Sequence, residues 1–317
     1  MPKGIYTQLA CVLCERAPSV EDVARAIAPL SAAPSRRVEG AAGDDGWMLG
    51  GPGVVLTLGA FDVLVDVVDH AWPDDMGHPE RAPNLFTAWG MGQLGPFTFP
   101  GNLERARMQS WMFPAARERV PRARAFVRLR ASWCLGRGEQ APIIPPGYTV
   151  LDEIARMTEL GHALCALPEA LAWFVPAGEV LLGHEELGAV LARVREGGPP
   201  PVDAWINVRL YDLPDGATTV QDTIGAPQLD LDDVEAVFGR ETQDPAHVHS
   251  FLLDLLLYRL SKGAGIIQPG HVVHGPDGAD WRAEQHDESF GVPARPVLRF
   301  LPPGFSGPEV EVRARDT

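Results

Sequence analysis

The chain has 317 residues, enough for one large domain or two ordinary ones, and its 45% apolar share argues against disorder. With 42 acidic and 27 basic residues the formal charge is −15, which argues against nucleic-acid binding, since phosphate contacts need a basic face, and favours a basic protein partner. The four cysteines Cys11, Cys14, Cys134 and Cys165 are too sparse for a disulfide framework.

Residues 6–14 read as a strand, with Leu9, Cys11 and Leu13 alternating against Gln8, Ala10 and Val12. This N-terminal stretch is too short and too polar for a signal peptide, and no apolar run elsewhere nears the ~18 residues of a membrane span, so a soluble, cytoplasmic chain is expected. Ser19 caps a helix with Asp22 at the capping-box position, and Val20, Val23, Ile27 and Leu30 lie near one face. Residues 32–46 read as a loop. Strands are expected at 47–49, 53–58 and 61–68, with tight glycine turns. Residues 70–102 are dominated by Gly, Pro and aromatics and read as an irregular loop of functional type. Asn102 is expected to cap a helix interrupted near Pro114.

Residues 123–134 alternate apolar and basic side chains without a strict period, which suggests a bulged strand. Thr149 caps a helix to about 167, residues 170–175 form a buried-type strand, and 185–196 form an amphipathic helix. Residues 204–213 alternate as a strand, with 218–223 as its hairpin partner. Residues 229–238 read as a short acidic segment. Asp244 caps a helix with Pro245 in its first turn and Gly263 at its end. Closing strands are expected at 266–267, 272–273 and 297–301. The order fits two lobes or one continuous sheet. The expected fold class is α+β, a mixed, mostly antiparallel sheet with helices packed on it, in two lobes. Their bounds are 1–119, which includes the irregular loop, and 120–302, followed by a frayed tail at 303–317.

Familiar catalytic signatures are missing: there is no G-x-S-x-G elbow, phosphate loop, dinucleotide fingerprint or H-E-x-x-H pair. Cys11 and Cys14 have the spacing of half a zinc site, but three residues apart on a strand they face opposite ways. His247 and His249 diverge on their helix. Asp62, Asp66, Asp69 and His70 form a row of titratable groups along a strand and its end, which reads first as an ordinary mixed strand. The densest such cluster is His271, His274, Asp280 and His286, a set suited to a divalent metal, although Asp277 and Gly278 read first as a hairpin turn.

Two segments, ALAWFVPAGEVL and PPVDAWINVRLYDL, precede TIGAPQLDLDDVEAVF and then a helix running into KGAGIIQPGHVVHG. This order, mainly over residues 170–275, resembles the bacterial domain family DUF4261. There a Trp-containing strand, a Thr-x-Gly turn with an acidic segment, a helix and a Gly-rich strand follow one another. An Asp-Gly-Asp-Thr type turn near the end of that pattern is replaced here by Pro269, Gly270, His271 and Val272. The resemblance implies a fold class and a cytoplasmic setting, and it assigns no catalytic residue.

The expected function is a non-enzymatic protein-binding module, of immunity or antagonist type, acting on a basic protein partner without a cofactor. Trp72, Phe86, Trp89 and Phe97 would anchor the partner, with Asp74, Asp75 and Glu80 supplying charge complementarity. The alternatives are a metal-dependent hydrolase using the C-terminal His/Asp cluster, and a structural subunit of a larger assembly.

Overall fold

The computed structural model describes residues 4–305, and the chain divides into two compact units between Asn207 and Val208. In the first, β1 (Gln8–Cys14) leads to α1 (Val20–Ile27), whose Ser19 side chain accepts from the Asp22 amide at 3.1 Å. Then come β2 (Arg36–Val38), β3 (Gly53–Leu58) and β4 (Phe61–Val68), and the short helices α2 (Pro83–Gly90), α3 (Asn102–Met108) and α4 (Ala116–Arg119). β5 (Ala125–Ser132), α5 (Val150–Cys165), β6 (Ala170–Val175), β7 (Val180–Leu182) and α6 (His184–Arg195) complete the unit. The strands form an antiparallel sheet in the order β2-β3-β4-β5-β1-β6-β7.

Every residue of β1 is buried, because both faces of this central strand are covered. Leu9, Cys11 and Leu13 point into a core closed by Trp72, Trp89, Leu94, Phe113 and Val120 of the 72–123 segment. α5 packs on β1 and β6. A Cβ on Gly161 of α5 would lie 2.2 Å from the Trp173 ring, so this glycine sets how closely helix and sheet approach.

Several expectations for this unit are corrected. Residues 47–49 are not a strand: they lie in and just after a 3₁₀ turn (Gly46–Met48), and their carbonyls accept from buried arginines of β5 instead of a neighbouring strand. The 32–46 stretch carries β2, and the 70–102 stretch carries α2, with Pro83 in its first turn. Asn102 does not cap α3. It is the first residue of that helix, its Oδ1 accepts from Trp72 Nε1 at 3.0 Å, and the helix amides of Leu103 and Glu104 donate to Asp74. β5 keeps an unbroken register with both neighbours, while the irregularity falls between Leu13 and Cys14 where β1 meets β6. The lobe boundary expected at 119/120 falls inside this unit, because β5 lies between β4 and β1 and ties both halves into one sheet.

The second unit is built from β8 (Asn207–Asp212), β9 (Thr218–Ile224), β10 (Asp233–Gly239), α7 (Pro245–Lys262), β11 (Val272–His274), β12 (Asp280–His286) and β13 (Val297–Leu301). Its sheet order is β11-β12-β13-β10-β9-β8, with β10 and β13 parallel. Asp244 accepts from the Ala246 amide at 2.9 Å and Gly263 ends α7 at φ 103°, as the sequence signals require. The acidic 229–238 segment is a correction: most of it is β10, buried over Asp233–Phe238. Residues 264–266 form a 3₁₀ turn, and the polar 280–286 stretch is β12, which alternates buried Trp281 and Ala283 with charged neighbours.

The α+β class holds, with two mostly antiparallel sheets. Among the described residues no helix is long and apolar enough to cross a membrane. The tail expected to fray lies outside the described residues from 306 onward.

Candidate functional site

The most distinctive chemistry of the first unit lies under the loop that joins β2 to β3. Asp66 of β4 and Arg128 and Arg130 of β5 are fully buried on the sheet face that the 72–123 segment covers. Arg128 Nη2 meets Asp66 Oδ2 at 2.7 Å and Arg130 Nη2 meets Oδ1 at 3.1 Å. The remaining guanidinium donors reach the carbonyls of Trp47 (3.0 Å), Met48 (3.2 Å), Leu49 (2.9 Å) and Gln93 (3.3 Å), and Gln93 Oε1 (2.7 Å). Of the donors of these two arginines, Arg130 Nε is buried without a partner among the described residues. Burial pushes the Asp66 carboxyl up, but the two arginines together outweigh it and hold the group below its ordinary range.

This cluster clamps the loop. Gly51 donates its amide to Asp66 Oδ2 at 2.8 Å, and a Cβ there would lie 2.0 Å from the Val67 carbonyl, so only glycine fits. Above the clamp lies a cleft of about 370 Å³. Its walls include Pro18, Val20, Ala41 and Val67, and Trp47 stacks on His70 with centroids 4.8 Å apart and planes 25° apart. Asp44 and Asp69 stand exposed at its rim. The row of acids seen in the sequence therefore separates by role. Asp66 is buried in the clamp and Asp62 accepts from Thr57 at 2.6 Å, whereas Asp69 and His70 line the cleft. Trp47, read in the sequence as a strand residue, was missed as part of it.

The residues expected to anchor a partner distribute unevenly. Trp72 is buried, edge-on to Phe126 and Phe174 at 5.4 and 5.3 Å, and Trp89 is buried in the same core, so neither presents a ring to a partner. Their burial follows from the sheet face that needs covering. Phe97 is half-buried with a left-handed backbone at φ 57°. Asp74 is taken up by the α3 amides at 2.7 and 3.0 Å. Phe86, Asp75 and Glu80 are exposed. Phe86 lies on α2, which Asn84 ties to Asp45 of the cleft loop at 2.9 Å.

The C-terminal His/Asp set does not converge. His274 and Asp280 face each other across the β11–β12 hairpin at 3.1 Å, and His271 accepts from the Gln268 amide at 3.4 Å. His286 sits at the far end of β12, beside Glu284 at 3.4 Å and Arg299 at 3.2 Å. Six steps along a strand place it about 20 Å from Asp280, far beyond the reach of one metal ion. Among the described residues no group of three His, Cys, Asp or Glu side chains could hold a metal. His274 instead shares a shallow cleft of about 300 Å³ with His247 and Asp254 of α7, a meeting the sequence did not disclose. Cys11 and Cys14 are buried and reduced, and burial pushes both thiols up, Cys14 to about 12.

The second unit holds its own buried ion cluster. Asp222 takes Arg209 at 2.6 Å and Arg295 at 2.7 Å, Arg295 also reaches Asp233 at 2.8 Å, and Glu235 takes Arg299 at 2.7 Å. Asp233 further accepts from Thr223 Oγ1 at 3.0 Å and the Ala226 amide at 2.9 Å. The Thr-Ile-Gly turn is thus stapled to the start of β10, and Gly225 supplies the left-handed φ of 112° that the turn needs. Those contacts give the quoted motif a structural meaning.

No curated protein and no solved structure matches the chain. The segment that does match a family model, residues 222–301, begins at the Asp222 end of the ion cluster, finishes at the end of β13, and is that of the domain of unknown function DUF4261.

Proposed function

We propose that the chain is a non-enzymatic protein-binding module of antagonist or immunity type, and that its contact face lies on the first unit around the cleft loop and α2. One observation carries this reading. Leu49, Phe86 and Met91 are 51%, 38% and 56% exposed on two segments that hydrogen bonds hold together. Asn84 joins α2 to Asp45, and Arg130 bridges the Leu49 carbonyl and Gln93 Oε1. Apolar side chains carried on a braced backbone spare the ordering of that backbone on association, so they favour binding at a lower entropic cost. Asp75 and Glu80 are exposed on the segment that leads into α2, and the formal charge of −15 favours a basic partner.

The test is quantitative capture from the host lysate with tagged wild-type chain and a Leu49→Ser, Phe86→Ser, Met91→Ser variant. The wild type is expected to retain one stoichiometric partner, less of it at high salt, and the variant to lose it at an unchanged melting temperature. Equal recovery of that partner by both proteins would overturn the reading.

A further inference from the structure

Resting on that reading, we propose that the cleft beside Trp47 receives a single cationic side chain, arginine or lysine, from the protein partner. The walls and the rim of the cleft suit the two ends of such a side chain. Pro18, Val20, Ala41 and Val67 offer apolar surface to its aliphatic stem, and the cleft, at about 370 Å³, is at the small end of ligand cavities. Trp47, held by the His70 stack, gives an aromatic wall of the kind that attracts a cation.

Charge decides the sign of the ligand. Five carboxylates on the surrounding segments have a donor: Asp45 has Asn84, Asp62 has Thr57, Asp66 has the two arginines, Asp74 the α3 amides and Asp75 the Gly77 amide. Asp44 and Asp69, the two that border the cleft, have neither an ion pair nor a hydrogen bond among the described residues. An anion would find little, because the buried guanidinium donors beneath Gly50 and Gly51 are engaged, all but Arg130 Nε, by Asp66, Gln93 and the loop carbonyls. A guanidinium or ammonium held between two unpaired carboxylates gains charge-assisted bonds at the mouth of an apolar cleft, where screening is weaker than on an open surface.

The experiment is a titration of the isotope-labelled full chain with N-acetyl-arginine amide, followed by amide and indole shifts, with N-acetyl-citrulline amide as the neutral isostere. Shifts are expected at residues 41–51, the Trp47 indole and 69–70, with citrulline at least about tenfold weaker. An Asp44→Asn, Asp69→Asn variant, altered only at exposed, unpaired carboxylates, should weaken arginine by a similar factor and leave the melting temperature unchanged. Equal affinity for arginine and citrulline, shifts confined to other regions, or no shifts at all would overturn the assignment. The two proposals fail separately. A partner lost by the Leu49, Phe86 and Met91 variant while the cleft ignores the arginine probe sinks this inference alone. A cleft that binds the probe in a chain that captures no partner sinks the protein-binding reading, and with it a protein as the source of the side chain, while the preference of the cleft for a cation stands.

Discussion

Both units bury arginines against carboxylates in the middle of a sheet, but the balance differs. In the first unit one carboxylate, Asp66, serves two guanidiniums, and the excess positive charge is spread over the carbonyls of residues 47–49 and Gln93. In the second, Asp222, Asp233 and Glu235 balance Arg209, Arg295 and Arg299, and Arg295 is shared between two acids. An unbalanced cluster needs backbone to complete it, so it orders a loop. A balanced one completes itself and holds strands and a turn in register. The loop ordered by the first cluster is the one that shapes the Trp47 cleft, which links the charge arrangement to the candidate site.

The largest effect is expected from removing Asp66. Asp66→Asn leaves two buried guanidiniums with no anion, and should cost about 3–5 kcal/mol, read as a lower urea midpoint at unchanged slope. Loss of the clamp should also release the 46–51 loop, so its amides exchange faster than those of β1. Asp222→Asn is expected to cost less, about 2–3 kcal/mol, because Arg295 keeps Asp233 and Arg209 keeps the Val292 carbonyl at 2.7 Å. A larger cost for Asp222→Asn than for Asp66→Asn would show that charge balance does not govern the two clusters.

Local signals were legible in the sequence where one residue decides the outcome. Ser19, Thr149 and Asp244 each cap the helix expected of them, and Asp277 and Gly278 turn the β11–β12 hairpin. What stayed illegible depended on distant partners. Alternating Arg128 and Arg130 read as the irregular face of a strand, because nothing nearby in sequence announces Asp66, 62 and 64 residues away. The aromatic density of 70–113 was visible, but which rings face solvent depends on the sheet beneath. Trp72 and Trp89 fill the face that Phe126 and Phe174 begin, and Phe86 and Met91 are left outside. For the cleft, Asp69 and His70 stand together in the sequence, whereas the place of Trp47 depends on where its carbonyl goes. The acidic 229–238 segment, most of it β10, misled for the same reason, since Asp233 and Glu235 are balanced by arginines about sixty residues further on.

Acid titration should separate the two clusters by a smaller effect. Asp66 is held below the ordinary carboxylate range: burial raises it, and the two arginines lower it further than that. Its contribution is therefore present above the unfolded pKa of about 3.9 and is lost as pH falls through the still lower folded value. Asp233 and Glu235 are displaced the other way, because burial outweighs Arg295 and Arg299. The folded protein then holds protons on them at a pH where the unfolded chain has released its own, so stability grows as pH falls from the raised folded values toward about 4. Asp222, lowered by Arg209 and Arg295 against burial, behaves like Asp66. Residue-resolved amide exchange, corrected for its intrinsic pH dependence, should show protection of β9, β10 and β13 rising as pH is lowered from 7 toward 4, with no such rise in β4 and β5. Asp233→Asn should reduce that rise, leaving the part due to Glu235, and leave the first sheet unchanged. Parallel curves for the two sheets would mean that Asp233 and Glu235 are not displaced upward, and that burial does not outweigh their arginines.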